Sequence, residues 1–257
     1  MAASPAPSGG FDAELSVVIP AYNSAAVLEA TVRRFADHFA GRRVEIIVVE
    51  NGSTDDTARL CRELADGWSD PTVSFVPLTS DKGMGNALRV GALASTGARV
   101  LLTADDLPFG FDDIDGAEKH PADGRGGPRV LIGSKAHPDS RIDRGVGRVV
   151  MTRGFALLRR AILGTRTGDP QGTFIVDGVL LRNLAGHLTE TGFLFTTELD
   201  YAVELAGIRP VELPVRLSDE HRAHASRISP SDVAQMARGL VGLRRRKSVL
   251  QAAAAGS

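Results

Sequence analysis

The sequence predicts an α/β protein with one doubly wound, mostly parallel sheet flanked by helices in a single domain. Short β-branched runs alternate with segments of helical periodicity from Leu15 to Gly97, the signature of consecutive βαβ units. Polar residues follow three of the runs directly, where open parallel sheets bind ligands. A length of 257 residues with 43% apolar content is enough to build a proper core.

Taken in order, Leu15 to Ile19 reads as a buried strand. Leu28, Val32, Phe35 and Phe39 then recur at helical spacing after a candidate cap at Ser24, and Val44 to Val49 forms a second buried run. Ser53 to Asp56 opens a helix whose inner face carries Leu60, Cys61 and Leu64. Val73 to Val76 supplies a third strand, a glycine-broken helix runs from about Gly83 to Ala94, and Arg99 to Thr103 is the fourth strand. Phe111 to Pro128, rich in Asp, Gly and Pro, predicts a short helix and a flexible connection. Val130 to Gly133 resumes the sheet. From Arg148 to Leu163 the periodicity predicts an amphipathic helix with Leu157 and Leu158 on its apolar arc and Arg148, Arg153, Arg159 and Arg160 on a cationic face. Glu198 to Ala206 reads as a helix, Val211 to Leu217 as a strand, and Ser229 to Asp232 as the start of a last helix ending in Arg244 to Lys247. Residues 1–12 and 248–257 are expected to be disordered tails around a domain of residues 13–247.

Composition narrows the function. Thirty Lys and Arg against 31 Asp and Glu give a formal charge of −1, which lacks the footprint of a general nucleic-acid binder. The single cysteine, Cys61, excludes an internal disulfide and a thiolate zinc cluster. With no apolar stretch of spanning length and no signal-peptide pattern in the opening segment, a cytoplasmic chain is the expectation.

The strand ends give Pro20-Ala21-Tyr22-Asn23, Glu50-Asn51-Gly52-Ser53 and Thr103-Ala104-Asp105-Asp106. Singly, each also reads as a turn, a helix cap or a solvated loop; the ordered set of three points to a ligand crevice. Gly83-x-Gly85 lacks the third glycine of a dinucleotide fingerprint, since Leu88 stands there.

Through VVIPAYN (17–23), EIIVVENGSTDDT (45–57), DKGMGNALRVGALASTG (81–97) and LLTADD (101–106), the chain resembles the family-2 glycosyltransferases of the GT-A fold. IGSKAHPDS (132–140), the arginine-rich helix, GDPQGTF (168–174) and FTTELDYAVELAG (195–207) resemble the polyprenyl-phosphate branch, which includes the dolichyl-phosphate glucosyltransferases and mannose synthases. The resemblance implies a nucleotide-sugar half (13–110) and an acceptor half (111–247), and transfer of a sugar from a UDP- or GDP-linked donor to a polyprenyl phosphate at the membrane's cytoplasmic face, with inversion. It implies that Pro20, Tyr22, Asn23, Glu50 and Asn51 hold the nucleotide, with Lys82 beside a side-chain-free loop that approaches the diphosphate. It implies Mg²⁺ or Mn²⁺ on Asp106, although Ala104 stands where the family's first Asp is expected, with Asp105 as the substitute ligand. Lys135, Arg148, Arg153 and Gln171 are implied to meet the acceptor. Asp169 and Glu198 match positions in the branch's motifs, whereas Thr196 replaces an acidic residue. A soluble hydroxyl acceptor would instead need a carboxylate base, from Glu198 or Asp200; Ala104 leaves open a nucleotide-sugar-binding protein without turnover. His221 and His224 read as surface histidines of a covering loop.

Overall fold

The computed structural model describes residues 13–120, 127–141, 146–217 and 230–256, with backbone alone for 146–153 and 230–236. Its strands are β1 (Leu15–Ala21), β2 (Val44–Glu50), β3 (Val73–Thr79), β4 (Arg99–Leu102), β5 (Val130–Ser134), β6 (Thr173–Asp177) and β7 (Val211–Pro214). They form one sheet in the order β3-β2-β1-β4-β6-β5-β7. The pairs β1–β2, β2–β3, β1–β4 and β5–β7 are parallel, and β6 runs antiparallel to both β4 and β5. Every strand except β6 therefore points its carboxyl end at the same edge.

The helices are α1 (Leu28–His38), α2 (Thr57–Asp66), α3 (Met84–Ala94), α4 (Asp112–Glu118), α5 (Val146–Leu163), α6 (Gly178–Ala185), α7 (Phe195–Leu205), α8 (Pro230–Arg245) and α9 (Lys247–Ala255). Strand alternation divides the core in two. Val17, Ile19, Ile46 and Val48 face α1, α2 and α4, while Val18, Ile47, Val49 and Val100 face α3, α6 and α7. Covering both faces is what lets β1 and β2 be buried along their whole length and read as unbroken apolar runs. Gly91 permits the tight seating of α3, since a Cβ there would lie 2.3 Å from Val18 Cγ1.

The architecture agrees with the sequence expectation; helix α6, which that reading lacks, and four further local features differ. Strand β6 has no counterpart in that reading: its five residues are hidden behind the glycine-rich segment before them. Residues 247–255 form helix α9 rather than a tail, because Leu250 is fully buried and Ala254 nearly so against the rest of the core. Ser24 does not cap α1 with its side chain; the backbone carbonyl of Ser24 accepts from Val27 and Leu28 N–H, and its hydroxyl is used elsewhere.

The fourth difference is in α5. Leu157 is 70% exposed, whereas Arg159 is 2% exposed, which reverses the expected faces at these two positions. Arg159 Nη1 donates to Asp200 Oδ2 (3.2 Å) and Thr165 Oγ1 (2.7 Å), and Nη2 donates to the Thr167 carbonyl. Thr167 Oγ1 donates to Asp200 Oδ1 at 2.6 Å. Burial pushes the Asp200 carboxyl up to about 7 and pushes Arg159 down, while their pairing opposes both shifts. The pair fastens α5 to α7 through the segment between α5 and β6.

Removing one member leaves the other buried and uncompensated. Arg159→Met should cost about 3 to 5 kcal/mol in urea unfolding, and adding Asp200→Leu to that variant should recover a large part of the loss.

Candidate active site at the carboxyl edge of the sheet

The loops after β1, β2, β3 and β4 meet at one edge, beside the point where β1 has β2 on one side and β4 on the other, the switch point at which open α/β sheets bind ligands. Because β6 runs backwards, its first residues come to this edge too. That brings Asp169 and Gln171, just before β6, next to Lys135, just after β5.

In the first half, Tyr22 is exposed and Lys82 reaches it from the β3–α3 connection. Lys82 Nζ donates to the Tyr22 hydroxyl at 2.8 Å and lies 4.6 Å from the ring centroid, a cation–π contact. Lys82 also packs over Gly52, whose φ of 84° favours glycine. Asn51 is buried beside them, its N–H bonded to the Ala21 carbonyl at 3.0 Å. Tyr22 and Lys82 are thus in contact, with Asn51 at the same edge.

Pro20, Asn23 and Glu50 have partners within the framework at this edge. Pro20 is a buried strand residue opposite Val49. Asn23, at φ 53°, accepts from Thr54 N–H at 2.8 Å and donates its own N–H to Ser53 Oγ at 3.0 Å, so it laces the first loop to the second. The Glu50 carboxylate accepts the Ser53 N–H and fixes the turn after β2.

Asp105 and Asp106 separate in role. The Ser24 hydroxyl donates to Asp105 Oδ2, and Thr31 Oγ1 donates to the Asp105 carbonyl at 2.7 Å. This ties the β4 loop to α1, and the carboxylate already has a protein donor. Asp106 is partly buried at the same edge.

The resemblance implies a side-chain-free loop beside Lys82 that approaches the diphosphate; in the structure the backbone of the segment between α6 and α7 packs against both Gly83 and Gly85. The Thr191 carbonyl accepts from Gly85 N–H (2.9 Å) and Asn86 N–H (3.4 Å), so it caps the start of α3. A Cβ at Gly83 would lie 2.3 Å from Thr191 O, and one at Gly85 2.3 Å from Glu190 O.

In the second half, Lys135 N–H donates to Asp169 Oδ2 (2.9 Å), and its ammonium lies 3.3 Å from the Gln171 carbonyl and 3.7 Å from Asp169 Oδ2. Gln171 Nε2 donates to the Phe193 carbonyl (3.0 Å) and Thr197 Oγ1 (3.1 Å). Lys135, Asp169 and Gln171 therefore form one cluster. The side chains of Arg148 and Arg153, and both His221 and His224, lie outside the described residues.

Glu198, which the sequence offers as a catalytic carboxylate, sits inside the protein. It is fully buried; Oε2 accepts from Thr189 and Glu190 N–H, each at 2.8 Å, and Oε1 pairs with Arg246. Arg246 is correspondingly withdrawn from the terminal basic cluster, while Arg244, Arg245 and Lys247 are exposed. Asp200, the other candidate base, is held by Arg159 and Thr167. No local signal in the sequence separates these buried carboxylates from reactive ones.

No group of three or more His, Cys, Asp or Glu side chains that could hold a metal occurs among the described residues. The donor set here is Asp106, with Asp105 next to it. One or two carboxylates fit Mg²⁺ or Mn²⁺ when phosphate oxygens and water complete the shell, so these residues suit an ion that arrives with a diphosphate rather than a resident protein cage.

This fold and this edge define a glycosyl-transferase scaffold. Residues 16–174 match the model of glycosyl transferase family 2, and the chain belongs to that family. It is 28% identical over 157 residues to a dolichyl-phosphate beta-glucosyltransferase of Mus musculus, covering 56% of this chain and 48% of that protein. It is 27% identical over 250 residues to the Saccharomyces cerevisiae protein of the same name, covering 90% and 74% of the two chains. The chain thus spans about half the length of the mouse relative. Among solved structures, glucosyl-3-phosphoglycerate synthase of Mycobacterium tuberculosis, in complex with Mn²⁺, UDP and glucosyl-3-phosphoglycerate, superposes with a TM-score of 0.60 at 20% identity, covering 95% of this chain and 86% of that one. At that identity the likeness is one of fold, and it is the GT-A fold.

Gly85→Ala should be costly because its new Cβ would meet backbone, not a flexible side-chain tip. Denaturant unfolding should show a loss of about 1 to 3 kcal/mol, whereas Gly186→Ala, with nothing within 4 Å, should change stability little.

Proposed function

We propose that this chain is an inverting glycosyltransferase that moves a sugar from a UDP- or GDP-linked donor to a polyprenyl phosphate at a membrane surface. The observation that carries the reading is the burial of Glu198 and Asp200. A hydroxyl acceptor needs a base, and both carboxylates offered by the sequence are fully buried and hydrogen-bonded. A phosphate monoester needs none, since it is already an anionic nucleophile at neutral pH.

In the proposed reaction an acceptor phosphate oxygen attacks the anomeric carbon, the bond from that carbon to the donor's diphosphate breaks, and the nucleoside diphosphate leaves with the bonding electrons. The chain's own contribution is alignment and charge neutralisation. Tyr22 and Asn51 take the base, Lys82 meets the diphosphate, and Lys135 and Gln171 orient the acceptor phosphate, with Arg148 and Arg153 from α5. Asp106, with Asp105 beside it, would hold Mg²⁺ or Mn²⁺, whose chemistry there is to offset the leaving group's charge.

Support for a lipid acceptor comes from the names of the relatives and from the exposed Leu157, Phe193, Arg244, Arg245 and Lys247. No helix among the described residues is long and apolar enough to cross a membrane, so contact through these side chains would be peripheral.

UDP or GDP with Mg²⁺ or Mn²⁺ should raise thermal stability, by about 2.7 kcal/mol at a hundredfold excess over Kd; no shift with either nucleotide would sink the donor assignment. Asp106→Asn should abolish metal-dependent turnover. Lys135→Ala should leave nucleotide binding intact while transfer to a short polyprenyl phosphate falls by orders of magnitude. Transfer only to a soluble alcohol would overturn the lipid-phosphate acceptor.

A further inference from the structure

A continuous polar path runs from the α8–α9 junction to the nucleotide edge. Arg246, the residue between those helices, pairs with the buried Glu198 and donates to the His187 carbonyl at 2.6 Å. Glu198 in turn grips Thr189 and Glu190 N–H. The next residue, Thr191, presents its carbonyl to Gly85 and Asn86 N–H at the start of α3. Asn86 Nδ2 donates to the Lys82 carbonyl at 3.0 Å, and Lys82 Nζ reaches the Tyr22 hydroxyl.

We infer that the buried Glu198–Arg246 pair is a positioning device for Lys82, setting the donor site from the C-terminal helices. The physical case is that the links between the 189–191 segment and the Lys82 backbone are main-chain groups and one short side chain, Asn86. Glu198 is 0% exposed and accepts three donors, so the 189–191 segment has one resting place. The Gly83 and Gly85 contacts then leave α3 no room to shift against that segment. A second strut reinforces the arrangement: Arg89 donates to Asn86 Oδ1 and to the Leu188 carbonyl, both at 3.2 Å. Lys82, the last member, has an exposed ammonium on a long flexible stem. Fixing its backbone is how the protein limits where that charge can go. The consequence is that α8 and α9, remote in sequence from every nucleotide-facing loop, set donor affinity.

The inference rests on the proposed contact of Lys82 with the donor, and a double-mutant cycle separates the two. Titration calorimetry with UDP and with GDP, in Mg²⁺, gives Kd and stoichiometry for wild type, Arg246→Ala, Lys82→Ala and the double variant. Arg246→Ala should weaken the nucleotide that binds by about tenfold, and that loss should vanish in the Lys82→Ala background. A merely structural role would lower the binding-competent fraction and leave Kd unchanged, which would overturn the inference; so would a full, additive loss in the double variant. If Lys82→Ala itself leaves Kd unchanged, the donor role of Lys82 fails and the inference with it. Should Arg246→Ala not fold, Asn86→Ala cuts the path one link from Lys82 with the buried pair intact; it should weaken binding in the same Lys82-dependent way, and an unchanged Kd overturns the proposal.

Discussion

Burial of β1 along its whole length is the constraint from which the site follows. With β2 on one side, β4 on the other and helices on both faces, its seven residues are buried and have little solvent contact to offer chemistry. Only the chain leaving its carboxyl end is free to bend outward, and the neighbouring strands release their chains at the same edge. Tyr22, Asn51, Lys82 and Asp106 lie at one edge because the sheet forbids them any other outlet. The reversed β6 extends the same logic to the second half, delivering Asp169 and Gln171 to Lys135 by starting where the other strands end.

Charge inside the second half serves to hold loops. Arg159 with Asp200, and Arg246 with Glu198, are each surrounded by backbone and hydroxyl partners. A charge moved out of water is tolerated only when such partners replace the solvent. These pairs fix segments that lack regular structure of their own: residues 164–171 by the first, 187–191 by the second. The irregular chain at the edge is thereby as defined as the strands that feed it. Ser24 with Asp105, and Asn23 with Thr54, do the same for the first half on a smaller scale.

Family membership gives the fold its class, and under the proposed function the edge divides its labour coherently. Aromatic and amide groups would meet the base, and a carboxylate would hold the metal–diphosphate complex. The lysine held by Asp169 and the Gln171 carbonyl would meet the acceptor phosphate, and that clamping limits its reach.

The sequence by itself determined the first half. The runs at Leu15, Val44, Val73 and Arg99 are local and strongly periodic, and each motif follows its strand directly, so chain order alone brings Tyr22, Asn51 and Asp106 to one edge. What tertiary structure decided lies in contacts between residues distant in sequence. A helical wheel puts Arg159 on a cationic face; only Asp200, 41 residues on, takes it inside. Glu198 reads as a candidate base with no hint of Arg246, 48 residues away, as its buried partner, and Gly83 and Gly85 give no hint that residues 190–191 pack against them. Helix α9 reads as a low-complexity tail because alanine carries little periodic signal, and burial of Leu250 against the core is a property of packing. Periodicity reports which side of an element is apolar; which polar group finds a buried partner depends on the whole chain's path, and no local pattern encodes it.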